Sequence, residues 1–534
     1  MRTQPVTLVL AGTLVTSVLA GCSSGGAQGE SAAGSVKSIS IAAGYMPATT
    51  DLDPRDSASQ QVAPTISQSL AGTLFSYNGL PEDPNSSAQL AVPQPELAES
   101  ATLSADGLTW TLKLRAGVKS QAGNAFTAED VVWTVQRALA TKAIASNLLT
   151  QTVPLDPAKP VTALDAMTVQ FNLSRPSSVL EQVFSLPWLG IFDSKAVKAN
   201  AAPADPWGYE WLNTHSASYG PYEVSVSELP QRLVVKASPA YWRGPAKIES
   251  ATFVIIAEDS TRLQAGLTGQ VDIAAGLAST NIKAIRASSA VTAYVQPNAL
   301  QQKQLGFSLA SPEVSDVNMR RALSLAVDRK AIADTVYEGL ATPITGCMPG
   351  LLYKATSPDD VQAGPDVEKA KALVAQASGP KTVTIGYLPD TGNVFPQILQ
   401  TNFQAIGVKA TLKPYTTLAT WQADFKNGVF SVAVNGFAPF VNDPGYLLVN
   451  LNSGKAPSNR TGYANPVVDA ASEKALSATG DLKQSSVATA CRQLQQDVPM
   501  APILSTGQLA AVSNKVDKVA AYQYAVLLYN TSFK

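Results

Sequence analysis

One histidine in 534 residues is the sharpest shortage in this chain. General bases, zinc sites and serine–histidine pairs mostly need a positioned imidazole, and metal sites usually need more than one. His215 sits in the polar run Asn213-Thr-His-Ser-Ala-Ser, which reads as a surface loop rather than a reaction centre. Charge is also scarce: 15% of residues are charged, and Lys+Arg 39 against Asp+Glu 40 leaves a formal net charge of −1. A balance this even argues against a nucleic-acid partner. No segment beyond the first 22 residues reaches 18 uninterrupted apolar positions, so no second membrane span is expected. Beyond residue 37 there is no Gly-x-Gly-x-x-Gly turn after a strand, no phosphate loop and no Gly-x-Ser-x-Gly elbow. The Glu-Asp pairs at 129–130 and 258–259 are adjacent and fit helix starts, where carboxylates meet the helix dipole. The expectation is a binding protein with no catalysis, no cofactor and no metal.

The N-terminus is the most explicit stretch. Arg2 precedes an apolar run from Val6 to Val18, and Leu19-Ala20-Gly21-Cys22 follows. A run this short reads as a signal peptide over residues 1–21. The Leu-Ala-Gly-Cys box resembles the lipobox of bacterial lipoproteins, which implies that Cys22 is diacylated and becomes the mature N-terminus. Ordinary secretion with an unmodified Cys22 is the other reading. Residues 22–37 are mostly Ser, Gly and Ala and behave as a flexible tether. The expected location is the outer face of the cell membrane, anchored at Cys22 and not spanning. Cys347 and Cys491 then form an even pair in an oxidising compartment, which permits a disulfide; two buried thiols are the alternative.

Hydrophobic period assigns the rest. Ser38 to Ala42 and Leu108 to Leu114 alternate as half-buried strands, with Trp110, Leu112 and Leu114 on the core side. Gln60 to Leu74 has helical spacing, and Pro81 to Pro95 reads as a loop. Thr127 is an N-cap with Asp130 placed to complete a capping box. Strands are expected at 167–173, 233–237 and 252–256, a short helix at 261–267, and one long helical region from Val317 to Gly339. From 366 to 434 helices alternate with strands at 382–387, 407–412 and 429–434, the pattern of a βαβ lobe with a parallel sheet.

Four stretches, in order, carry a family resemblance. They are Leu108 to Lys119 running on to Phe126-Thr-Ala-Glu-Asp-Val-Val-Trp-Thr-Val-Gln-Arg137; Tyr219-Gly-Pro-Tyr222 with Ser238-Pro-Ala-Tyr-Trp-Arg-Gly244; Leu263 to Asp272; and Met319 to Lys330 continuing to Tyr337-Glu-Gly-Leu-Ala341. From about residue 38 onward the chain resembles the extracellular solute-binding proteins of family 5, the peptide/nickel-type receptors of ABC importers. The resemblance implies an α/β fold of two lobes joined by a two-stranded hinge, with an extra domain on the first lobe. On that basis 38–75, 206–298 and 506–534 form the first lobe, 76–205 the extra domain and 299–505 the second lobe. It implies a monomer that closes over a small organic solute, peptide or peptide-like, and hands it to permease subunits. A ligand-sensing scaffold of the same fold is the runner-up, and a surface hydrolase the third reading.

The resemblance also points to site residues. Asn435-Gly-Phe-Ala-Pro-Phe-Val-Asn-Asp-Pro444 is similar to the Gly-Trp-x-Ala-Asp-Tyr-x-x-Pro of oligopeptide receptors, whose aspartate takes the peptide ammonium. Matching Gly436 and Pro444 puts Phe437 at the tryptophan position and Phe440 at the aspartate position, so the acid is missing. Asp443 lies three residues on. A neutral or anionic solute, or a longer one held by stacking, suits such a cleft better than a fixed amine contact. Tyr45, Met46, Tyr219 and Trp421 complete the candidate set with Asn435, each with core packing as its alternative. Arg321 and Asp328 are expected to fix helix ends.

Overall fold

The computed structural model describes residues 37–53, 63–77, 93–295, 300–354, 365–388, 394–519, 521–522 and 525–534. Cys22 and the segments expected to be signal peptide and tether lie outside these residues, apart from Lys37.

Strand β1 (Ser38–Ala43) buries Ile39 and Ile41 in the core of its sheet. A separate antiparallel sheet follows from β2 (Ala98–Leu103), β3 (Thr109–Leu114), β4 (Val161–Asp165) and β5 (Thr168–Asn172), in the order β2-β3-β5-β4. On β3 the period-two pattern works as expected: Trp110, Leu112 and Leu114 are buried while Lys113 is exposed. The helix Ala128–Thr141 covers this sheet through Val131, Val135 and Ala138. It opens with the capping box, the Asp130 carboxylate accepting from Thr127 N at 2.9 Å.

The chain then returns to the sheet of β1 with β6 (Tyr222–Glu228), β7 (Arg232–Ala237), β8 (Ser250–Ile255), β9 (Ile273–Leu277) and β10 (Val291–Val295). A second large sheet is built by β11 (Gln301–Phe307), β12 (Ala341–Pro343), β13 (Thr382–Tyr387), β14 (Lys409–Pro414), β15 (Val432–Phe437) and β16 (Met500–Thr506). Strand β17 (Leu509–Ser513) rejoins the first. The orders are β10-β17-β9-β1-β8-β7-β6 and β12-β16-β11-β15-β13-β14, so the chain crosses between the sheets twice, at 295–301 and at 506–509. The fold is α/β and two-lobed.

Some elements differ from expectation. Strands β13, β14 and β15 pair in parallel as anticipated, but β11, β12 and β16 pair antiparallel, so the second sheet is mixed. The region 317–339 is two helices, Val317–Ala326 and Arg329–Val336. Val327 is extended, and the Asp328 carboxylate accepts from Ala331 N at 2.8 Å to start the second helix. The helix expected over 60–74 is described as Ala63–Leu70 and stops there, because residues 71–74 leave to bridge and turn.

Candidate functional site

The cleft follows from strand direction. Strand β11 begins where the first crossing ends, and it lies antiparallel between β15 and β16. The amino end of β11 therefore stands beside the carboxyl ends of β15 and β16, and β13 and β14, parallel to β15, end at the same edge. In the other sheet, Leu277 at the end of β9 faces Leu509 at the start of β17, and β1 and β8 run parallel with β9. Carboxyl ends of β1, β8 and β9 on one side, and of β13, β14 and β15 on the other, thus all face the double crossover. Open α/β sheets bind ligands at that edge.

On the first lobe this edge is held by a residue that the sequence reading passed over. Arg262 is buried, and its guanidinium donates to the carbonyls of Ile256, Ala257, Ala275 and Gly276 and to the Asp259 carboxylate. One side chain thereby satisfies the ends of β8 and β9. A Cβ at Gly44, just after β1, would stand 3.0 Å from an Arg262 nitrogen, so the bare glycine permits the approach. Tyr45 follows, half-buried at the rim. Met46 is turned inward and packs in the core with Ile39, Ile41 and Leu70.

On the second lobe, Asn435, Gly436 and Phe437 end β15 at the crossover edge. Asn435 pairs with Gln304, Gly436 with Lys303 and Phe437 with Gln302. Gly436 is exposed, and a side chain there would lie 3.5 Å from Lys303 Nζ. Gln302 and Gln304 are buried and joined by a 2.6 Å hydrogen bond, while Asn435 Oδ1 and Gln302 Oε1 are buried acceptors without a hydrogen-bond partner. Phe437 is half-buried against Cys347, Met348, Tyr353 and Leu447. Cys347 and Cys491 are joined by a disulfide with Cα atoms 5.4 Å apart.

The remaining candidates are placed elsewhere. Phe440 lies against Trp188, ring centroids 4.8 Å apart and edge-on. Asp443 is buried and spent inside its own lobe: it accepts from Tyr446 N at 3.0 Å to cap the helix Pro444–Leu447 and pairs with Lys483. With both roles filled by protein donors, it is not an open acceptor for a solute ammonium. Trp421 is fully buried, its ring stacked on Phe425 with centroids 5.8 Å apart and tilted against Phe430 at 5.9 Å. Tyr219 is likewise internal, 5.0 Å from Phe126, and burial drives its hydroxyl far above the ordinary tyrosine range. Burial of a large ring is worth about 1.5–3 kcal/mol, which core packing explains without a ligand. The structure thus brings Tyr45, Asn435, Gly436 and Phe437 to the cleft edges and assigns Met46, Tyr219, Trp421 and Asp443 to packing and capping. Low hydropathy or period does not distinguish these cases; only the tertiary contacts do.

His215 is exposed, stacked 4.8 Å from Trp211 at 8°, with Nδ1 2.9 Å from the Trp211 carbonyl. Arg321 donates to Gln496 O near the end of the helix Gly480–Asp497. Among the described residues no group of three His, Cys, Asp or Glu is arranged to hold a metal, and no helix is long and apolar enough to cross a membrane.

Comparison with known proteins agrees with this geometry. Residues 92–459 match the model of bacterial extracellular solute-binding proteins, family 5 Middle. Heme-binding protein A of Haemophilus influenzae is 24% identical over 465 residues, covering 82% of this chain and 83% of that one. The glutathione-binding protein GsiB of Escherichia coli O1:K1 / APEC is 27% identical over 387 residues, 71% of this chain and 70% of its own. The crystal structure of the ABC transporter substrate binding protein CtaP from Listeria monocytogenes superimposes with a TM-score of 0.80 at 23% identity, covering 93% of this chain and 99% of that one.

Proposed function

Since this chain belongs to the bacterial extracellular solute-binding proteins of family 5, which work with ABC importers, we propose that its own solute is a small peptide-like or other organic molecule that is neutral or acidic. Two lobes close over it by a hinge at the crossings 295–301 and 506–509. The lobe boundaries that suit this motion are those implied by the resemblance, 38–75, 206–298 and 506–534 against 299–505, with 76–205 as the extra domain. Binding, not bond chemistry, is the task of this family.

One observation carries the choice of solute: the loop leaving β15 offers no available carboxylate. Phe440 occupies the place of the acid, and Asp443 is bound to Tyr446 N and Lys483. An ammonium enclosed there would lack a counter-charge, which is costly in a closed cleft. Lys303 beside the bare Gly436 supplies positive charge instead. Heme and glutathione, named for two relatives, both bear carboxylates. Tyr45, Asn435, Gly436 and Phe437 are the residues assigned to the lining.

Native mass spectrometry of the mature protein, purified without denaturant, tests the reading. The expected spectrum contains a bound organic molecule, and heme or N-acetyltrialanine raises the melting temperature more than trialanine does. A ligand held at a hundred times its Kd stabilises by about 2.7 kcal/mol. A strong shift with trialanine and none with its N-acetyl form would overturn the neutral-or-acidic assignment; no adduct and no shift with any probe would overturn solute capture.

A further inference from the structure

Away from the crossings, the two lobes meet a second time. The extra domain is bonded firmly to the first lobe: Asp51 pairs with Arg137, Gln121 Nε2 donates to Leu70 O at 3.1 Å, and Gly72 and Ser218 bridge to Ile191 and Phe192. Trp133 and Phe192 complete the tie by entering the core of the seven-stranded sheet. The extra domain therefore moves with that lobe. Yet its own core also contains Val441, Tyr446 and Leu476, residues from segments packed on the other sheet. Phe440 sets its ring edge-on against Trp188. Ser178 N donates to Leu476 O at 3.1 Å, and the Ser178 hydroxyl reaches Leu476 O and Ala478 O, each at 2.9 Å.

The chemistry at Ser178 is that of a helix end supplied by another body. The helix Pro466–Ser477 finishes at an extended Ala478, leaving its last carbonyls without intrahelical donors. Ser178 fills that need from across the lobe boundary. The receiving surface is stiff: a Cβ at Gly445 would stand 2.6 Å from the Ala475 carbonyl carbon, so the loop and this helix are in close contact, and the Asp443–Lys483 pair adds a further tie. The first crossing region has a contact of its own, Ser279 Oγ to Val336 O at 2.9 Å and Lys283 to Glu338 at 3.0 Å. Rotation about the crossings must break the Ser178–Leu476 and Trp188–Phe440 contacts before the lobes separate.

We propose that Ser178 and Trp188 are positioning residues for closure, a latch by which the extra domain holds the 440–446 loop and the Pro466–Ser477 helix of the second lobe. The latch uses only this chain's own groups, so its failure would leave the solute assignment standing. Because Phe440 leaves β15 three residues after Phe437, the latch also sets the shape of the loop bordering the cleft.

The test measures lobe separation without solute. Spin labels are placed at the exposed positions Asn200→Cys and Glu368→Cys in mature protein carrying Cys22→Ser, dialysed free of small molecules with the native disulfide intact. Pulsed dipolar distances should show one dominant short population in the reference protein. Ser178→Ala and Phe440→Ala should each raise the longer-distance population roughly fivefold, the scale of one lost hydrogen bond. Ser178→Thr, which keeps the hydroxyl, should restore the reference distribution. Superimposable distributions in the alanine variants, with circular dichroism and melting temperature unchanged, overturn the latch, as does a reference protein that is already open. Should Phe440→Ala lose its fold, Ser178→Ala removes a single oxygen and decides alone.

Discussion

At the scale of single residues, one buried ion pair joins positions far apart in the chain. Asp51 and Arg137 are almost entirely buried, with Arg137 Nη2 2.5 Å from the carboxylate. Arg137 also donates to Trp207 O at 3.0 Å and lies over the rings of Tyr209 and Phe192 at 4.2 and 4.6 Å. Removing one member leaves a buried charge without its partner, which costs about 3–5 kcal/mol. Asp51→Ala and Arg137→Ala are each expected to lower the urea midpoint by that equivalent. The double replacement Asp51→Leu with Arg137→Met should recover most of the loss, and a double variant no better than the singles would refute the account. Nothing in the sequence announces this pair. Asp51 lies outside every motif, and Arg137 is the last residue of a family-like stretch; only folding puts them together across a separation of 86 residues.

At the scale of elements, helix starts were legible because their signals are local. Thr127 with Asp130 performs as a capping box, and Asp328 caps its helix. Continuous apolar spacing from 317 to 339 hid the break at Val327. Its cause is tertiary: the buried Arg329 donates to Pro502 O, Ser324 O and Val327 O, and desolvation pushes its pKa down to about 10. Asp316 shows how a cap also joins elements. Its carboxylate accepts from Asn318 N at 2.7 Å, Ser378 N at 2.7 Å and Ser378 Oγ at 2.8 Å, tying the helix Val317–Ala326 to the turn beyond Val367–Gln376. The Ser378 backbone donor, then its hydroxyl, hold the Asp316 pKa below the usual range. A depressed folded-state pKa stabilises above the unfolded value of about 3.9 and loses that contribution as pH falls through the folded one. Asp316→Asn, which keeps an oxygen for the cap and removes the charge, should therefore lower the melting temperature at neutral pH, with the melting curves of variant and parent converging as pH falls through the folded-state pKa. A gap that persists at that acidity would show that charge is not what the contact depends on.

At the scale of the whole molecule, attachment is what the lipobox-like Leu19-Ala-Gly-Cys22 implies, so its prediction concerns the full-length chain expressed in a cell. Two acyl chains contribute about 0.8 kcal/mol per buried methylene, enough to retain a large domain at a surface. Expressed in a bacterial host, Cys22→Ser is expected to appear in the soluble extracytoplasmic fraction while the parent stays with membranes; membrane retention of the variant, measured by fractionation and blotting, would dismiss the anchor. The order of motifs along the chain was enough to foresee two lobes and an inserted domain, because the order and spacing of elements persist when individual residues drift. The cleft residues were only half legible. Gly436 and Phe437 come from the family resemblance, since the strand expected at 429–434 runs instead over Val432–Phe437. The inward turn of Met46, Tyr219 and Trp421 depends on neighbours such as Phe126 and Phe425.

Sequence alone determined the family, the α/β class, the caps at Thr127 and Asp328 and the scarcity of imidazole, because each rests on residue type and near spacing. Tertiary structure decided that Tyr219 and Trp421 are buried, that Asp443 is a cap, and that Ser178 meets Leu476 from 298 residues away. The physical reason is that burial and hydrogen-bond satisfaction are properties of what surrounds a group, and distant segments supply those surroundings only once the chain has closed on itself.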